Sequence, residues 1–318
     1  MSQCLPTKEF EKQYKDHLSG FKDWDQKDHA DKWILFKNNL GSNLSIDEVA
    51  VTKDELYTTL TNKAAKGGKG ALVAIVAGTK TCDVVGVLNK ISEDKRKMVK
   101  EVTLDMSNAM DAIISKSFPN TSIVTDRFHV QQLVSEAVQE IRMIARRKAL
   151  KAETTAIRQA KKNNKIYIPK LYENGDTKKQ LLARSFYLLF KSENNWTPSQ
   201  KTRSEILFRE FPNINHAYNI SMMFRSFYEN NTNKDQAKES LEKWYKKITE
   251  ENIESFVVVA ESIKVHEDTI FNYFNHRSTN ASAESFNAKL KGFRALVRGV
   301  RDVKFFLFRV GKVYGDIG

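Results

Sequence analysis

Residues 101–130 read EVTLDMSNAMDAIISKSFPNTSIVTDRFHV, and their order decides the fold. Glu101–Leu104 is a short β-type run that ends at Asp105. Ser107 or Asn108 can cap a helix over 109–117, because a short polar side chain can accept a hydrogen bond from the exposed first-turn amides. Phe118-Pro119-Asn120 closes that helix, and Ser122–Thr125 is a second strand of the buried type. A long amphipathic helix follows, with Val130, Val134, Ala137, Ile141 and Ala145 at helical spacing on its inner face.

Working upstream, Leu44–Thr52, Leu56–Thr61, Ala71–Ala77 and Val84–Leu88 are rich in Val, Ile and Thr and read as strands. The Lys/Gly turn KAAKGGKG at 63–70 punctuates them, and Glu93–Met98 forms a short charged helix. Three antiparallel-type strands followed by strand–helix–strand–helix is the order of a ribonuclease H-like α/β fold with a mixed sheet. Residues 8–40 are expected to be helical, anchored by Trp33, Phe36 and Leu40. Downstream, 151–275 contains helix-like periodicity and almost no strand. The expected organisation is a helical N-terminal segment (1–43), a first part of the core (44–150), an all-α insertion (151–275), and helices completing the core (276–318).

The composition excludes several classes. The apolar content of 41% is that of a globular protein, so general disorder is ruled out. No apolar run approaches the roughly 18–20 residues that span a bilayer. The charged N-terminus lacks a signal-peptide stretch, so a soluble, intracellular protein is expected, without a membrane partner. Cys4 and Cys82 are the only cysteines, which excludes a cysteine-rich zinc module.

The net charge is +13 and is unevenly placed. Residues 142–170 carry Arg142, Arg146, Arg147, Lys148, Lys151, Arg158, Lys161, Lys162, Lys165 and Lys170 against Glu153 alone. A second basic block lies in 276–318 and includes Lys289, Lys291, Arg294, Arg298 and Arg301. Separate basic blocks fit a polyanion track, with nucleic acid as the first candidate.

Three carboxylates stand where chemistry would need them. Asp47 lies inside the first core strand, where an unpaired charge is costly. Asp105 sits at the end of the fourth strand, a neighbour of the first in a ribonuclease H-like sheet. Glu284 lies on a C-terminal helix, TNASAESFNAKLK (279–291). Seven residues at about 100° each bring Glu284 and Lys291 onto one line with Asn287 between them, while Phe286, Leu290, Phe293 and Val297 form the buried stripe. Three hard oxygen ligands suit Mg²⁺, with Mn²⁺ as a substitute. Glu48 competes with Asp47, since a one-residue strand shift swaps faces. Asp126 competes with Asp105, and His129 stands either as a structural histidine or beside the site.

Together the segments SIDEVAV, VKEVTLDMSNAMDAIISKSFPN, VTDRFHVQQLVSEAV and STNASAESFNAKLKGFRALVRGVRDVKFFLFRV resemble the DDE-type transposases of bacterial insertion sequences, in the ISL-three group. The resemblance implies a catalytic triad of Asp47, Asp105 and Glu284, two Mg²⁺ ions, and a supporting Lys291. It also implies an element formed by Asp126 and His129 close to the active site, and an all-α insertion ahead of the glutamate. Strand cleavage and transfer on DNA are the implied activity, with a homo-oligomer on DNA and location at the nucleoid. Lys289, Lys291, Arg294, Arg298, Arg301, Arg142, Arg146, Arg147 and Lys148 are the expected DNA contacts. Relatives usually begin with a zinc-binding segment and a helix-turn-helix. This sequence shows neither ahead of Asp47, so the expectation is either a separate end-recognition polypeptide or a catalytic fragment of a longer chain.

Overall fold

A computed structural model describes residues 7–53, 55–297 and 302–317. It divides into two compact units, one built from 1–126 and 277–318, the other from 127–276. In chain order the first unit contains α1 (Thr7–Gln13), β1 (Trp33–Leu35), β2 (Asn43–Thr52), β3 (Glu55–Asn62), β4 (Leu72–Ala77), α2 (Thr81–Leu88), α3 (Glu93–Lys97), β5 (Glu101–Leu104), α4 (Asn108–Ser117) and β6 (Ser122–Thr125). The second unit comprises α5 (Arg127–Lys162), α6 (Lys178–Arg184), α7 (Pro198–Glu210), α8 (Pro212–Asn230), α9 (Lys234–Glu251), α10 (Glu254–Val265), α11 (Glu267–Phe271) and α12 (Tyr273–His276). The chain then returns to the first unit with α13 (Ala281–Leu296) and α14 (Val303–Tyr314).

The six strands run in the order β1-β4-β3-β2-β5-β6. β2, β3 and β4 are antiparallel neighbours, whereas β5 lies parallel to β2 and β6 parallel to β5. This is the mixed sheet of a ribonuclease H-like fold, with β1 added at its edge. Leu44, Ile46, Val102 and Leu104 point to one face and join Val84, Leu88, Ile113 and Ile114 of α2 and α4 in one core. On the opposite face, Val49, Tyr57, Leu72 and Ile75 meet Phe286 and Leu290 of α13 and Phe305, Phe306 and Phe308 of α14. The helical stripe expected on 279–297 therefore buries Phe286 and Leu290, with Phe293 and Val297 partly covered.

Two local expectations are corrected. Val84–Leu88 is not a strand but the second half of α2, which packs against α4. Its three valines read as β-formers, but Thr81–Leu88 buries Val84, Val87 and Leu88 at helical spacing, and tertiary packing overrides propensity. Residues 8–40 are not one helix either. After α1 and the turn Tyr14–Leu18, Gly20 adopts φ +78°, a backbone that ends helical continuation, and Trp33–Leu35 pairs with Val76–Ala74 as an edge strand.

The helical unit begins earlier than 151, because α5 runs unbroken from Arg127 and packs on α6, α8 and α10 of its own unit. Within this unit Asp176 is fully buried between Arg184 and Arg203, whose Nε lies 3.0 Å from its Oδ2. Burial alone would raise the Asp176 carboxyl, but hydrogen bonds and charge from Arg203 and Arg184 outweigh it and hold the pKa below the usual value. A depressed carboxyl stabilises the fold above its unfolded value, near pH 4, and that contribution disappears as pH falls through the lower folded value. Asp176→Asn is expected to destabilise the protein by about 3 kcal/mol at pH 7. Urea titrations of the variant and the parent should converge as the pH is lowered below about 4.

Candidate active site

The strand register sets the site. Ser45 of β2 pairs with Thr103 of β5, and Leu104 with Thr125 of β6. Alternation along β2 puts Leu44 and Ile46 in the α2/α4 core, so Ser45 and Asp47 face α13. The same parity on β5 turns Glu101, Thr103 and then Asp105 to that face, since Val102 and Leu104 belong to the other core. Asp126 follows β6 with its backbone amide donating to Leu104 O at 2.8 Å, which extends the ladder one step past the strand. Asp47, Asp105 and Asp126 thus emerge from three adjacent strands toward the same helix.

That helix carries the matching groups. Asn280 caps α13, and its backbone amide donates to Asp126 Oδ1 at 2.9 Å, while its side-chain Nδ2 donates to Asp105 Oδ1 at 3.4 Å. Two turns on, Asn287 Nδ2 donates to Asp47 Oδ2 at 2.6 Å, and Thr59 Oγ1 donates to Asn287 Oδ1 at 3.1 Å. Asp47 Oδ1 accepts the Glu48 amide at 2.8 Å. One helix therefore holds a carboxylate from each of the three strands. Its N-terminal amides and dipole favour negative charge there.

Glu284 lies in the first turn of α13 and is exposed, with a carboxylate oxygen within 4.8 Å of one from Asp126. Asp47, Asp105 and Glu284 do not form a group with oxygens all that close to one another. The competing ligand Asp126 is therefore nearer to Glu284 than the strand order alone implies. Glu48 points to the opposite face from Asp47. Its carboxyl is pushed up, first by desolvation and then by the Asp105 charge. His129 stands half-buried in the first turn of α5.

The donor set fits a hard divalent cation. Beside Asp105 and Asp126, Asn280 Oδ1 is a buried oxygen that makes no hydrogen bond within the protein. Buried oxygens without a partner are uncommon, and a hydrated cation would satisfy this one.

A second polar group has no counterpart among the sequence expectations. Lys63, in the turn after β3, lies beneath the site with its Nζ on Thr103 Oγ1 and 3.5 Å from Glu101 Oε1. Ser278 Oγ donates to the same Glu101 oxygen, tying the approach to α13 to the start of β5. Burial lowers the Lys63 pKa, while Glu101 and Asp126 pull it back up. Nothing local marks Lys63 as half-buried, because KAAKGGKG looks like any solvated turn. Asn280 has a visible signal, a capping-type residue ahead of an apolar-periodic run.

The basic residues divide by burial. Lys291, Arg147 and Lys148 are exposed, and Arg146 is half-buried. Lys289 is exposed and its Nζ donates to Gly67 O at 2.9 Å. Two of the expected DNA contacts have partners within the protein. Arg142 is buried, donating to Gln139 Oε1 at 2.6 Å and Leu182 O at 2.8 Å. Arg294 forms a bidentate pair with Glu55, at 2.9 and 2.6 Å, and stacks over Phe306. Both guanidiniums are spent inside their own unit. Arg298 and Arg301 lie outside the described residues.

The family model of the ISL-three DDE group, described as Transposase, matches residues 44–310. The chain belongs to this transposase family. No curated protein and no solved structure matches it. The match runs from the first residues of β2 into α14, so it takes in every carboxylate described above. No helix of the transposase, among the described residues, is long and apolar enough to cross a membrane.

Lys63→Met would leave Glu101 buried without its counter-charge, at a cost of about 3–5 kcal/mol. Adding Glu101→Gln is expected to recover much of that loss. Chemical denaturation of the two single variants and the double variant measures the coupling, and additive losses would exclude a functional pair.

Proposed function

We propose that this transposase cuts DNA strands at the ends of a mobile element and joins them to a target, using Mg²⁺ held by Asp47, Asp105 and Glu284. The observation that carries this reading is the single helix, α13, that binds the aspartates of β2, β5 and β6 and also carries Glu284, beside Asp126. Mg²⁺, or Mn²⁺ in its place, would supply charge stabilisation of the phosphate and a more acidic attacking water or 3′-hydroxyl, commonly as a pair of ions.

The protein's own groups supply placement. Asn287 fixes the Asp47 carboxylate, and its own orientation is set by Thr59. Asn280 holds Asp105 and Asp126 together at the helix start. Lys291 lies two turns after Glu284 and is exposed, placed to pair with a phosphate of the strand being cut. Arg147 and Lys148 are available for flanking or target DNA, contacts that add affinity without sequence choice. A homo-oligomer on paired ends completes the proposal.

The proximity of Asp126 to Glu284 favours a second ligand assignment, in which Asp126 replaces Asp105. Asp47→Asn, Asp105→Asn and Glu284→Gln are each expected to abolish Mg²⁺-dependent cleavage of an element end, a drop of at least about a thousandfold. DNA binding by gel shift should stay near the parent's. Cleavage that survives Asp105→Asn but not Asp126→Asn would transfer the role to Asp126. Cut ends without joined product in a strand-transfer assay would make the protein a nuclease instead.

A further inference from the structure

The run Asn163-Asn-Lys-Ile-Tyr-Ile-Pro-Lys170, just beyond α5, carries two isoleucines that the fold leaves almost bare. Ile166 is 90% exposed and Ile168 82%. Between Glu153 and Glu173 the chain has Arg158, Lys161, Lys162, Lys165 and Lys170 and no acidic residue. All five are exposed, and none makes an ion pair among the described residues.

The run is held in place. Asn164 takes a left-handed turn at φ +53°, and Lys165 N donates back to Ala160 O at 2.8 Å, which closes the end of α5. Tyr167 and Pro169 turn inward and line a cavity with Ala149, Ala152 and Ala156 of α5. At the far end, Leu171 bridges Thr177, and Tyr172 N donates to Asp176 O at 2.9 Å. Ile166 and Ile168 flank Tyr167 and do not line that cavity. Proline before Lys170 removes an amide and fixes one backbone angle, so the pair is presented in a preset conformation.

Two bare isoleucines beside Lys161, Lys162 and Lys165, exposed and without an ion pair among the described residues, define the partner by chemistry. A second copy of the chain would bring the same lysines and repel. Duplex DNA offers phosphates for the lysines and a base stack into which apolar side chains can wedge from the minor groove. We propose that Ile166 and Ile168 form an apolar wedge that enters the minor groove of DNA and bends it, with Lys161, Lys162 and Lys165 on the adjoining phosphates. The inference rests on the protein's work on DNA and is independent of which carboxylates hold metal.

The test uses the full chain and a short mixed-sequence duplex that carries deformable TA steps and a dye at each end. Affinity is read by anisotropy across a salt series and bending by energy transfer between the dyes. Ile166→Ser combined with Ile168→Ser is expected to weaken binding roughly tenfold, remove the bend, and leave the salt slope unchanged. Lys161→Gln, Lys162→Gln and Lys165→Gln together should lower the slope by about one for each phosphate left without its lysine. Both isoleucine positions are solvent-exposed, and an unchanged thermal unfolding curve confirms that the serine variant is folded.

Binding and bending equal to the parent's in the serine variant would overturn the wedge. So would a serine variant that binds DNA normally but loses self-association in sedimentation, or loses adhesion to phosphatidylserine vesicles. An unchanged slope in the glutamine variant would overturn the phosphate contacts. Loss of cleavage with bending intact counts against the catalytic proposal alone, and loss of bending with cleavage retained counts against neither carboxylate assignment.

Discussion

The seating of α13 on the sheet is the contact on which the site depends. Apolar packing holds part of its buried surface, Phe286 and Leu290 against Val49, Tyr57, Leu72 and Ile75. Asn280 and Asn287 meet a different part of the sheet, where Asp47, Thr59, Asp105 and Asp126 are their partners. Burying such groups is unfavourable unless they find partners, so the helix can dock only where the partners match. The apolar residues thus provide adhesion, and the polar residues select one register. A one-turn slip would separate Asn287 from Asp47 and Asn280 from Asp105 and Asp126 together. Catalytic geometry and helix register are, on this view, one constraint.

Much of the core is legible in the sequence because it rests on periodicities that packing enforces. Alternation along β2 and β5, and the strand–helix–strand order through Ser122–Thr125, each follow from a sheet with one core on either face. The stripe at 286, 290 and 293 has the same origin. The two failures have a common physical source. Val84–Leu88 has β-type composition but is too short for periodicity to decide, and burial against α4 settles it as helix. Trp33, Ile34 and Leu35 blend into a helical pattern, though they form an edge strand that exists only through pairing with β4. A partner distant in sequence leaves no local mark.

The site shows the same limit more sharply. Asp47, Asp105 and Glu284 are recognisable as acids at strand and helix positions that call for an explanation. The groups that orient them mostly are not. Lys63 sits in a turn whose composition signals solvent, yet it is half-buried against Glu101 and Thr103. Burial of a lysine is decided by what packs over it, in this case the approach to α13 through Ser278. Strand order ranks Asp126 behind Asp105, because it is one strand farther from Asp47. The helix cap at Asn280 draws both acids to the same point, so strand distance is a poor guide here.

Charge counts mislead in a related way. The block at 142–170 reads as one track, but its members do different work. Arg142 is an internal strut, donating to a carbonyl of α6 and stacking on Phe186 at 5.1 Å, and burial lowers its pKa. Arg294 is likewise held by Glu55, an acid that no scan of the C-terminal block would include. Removing either would therefore disturb packing before it touched affinity for a polyanion. The exposed remainder is concentrated after Glu153, where the acids end and the bare isoleucines begin. An interaction surface is thus better located by asking which charges lack an internal partner than by counting how many there are.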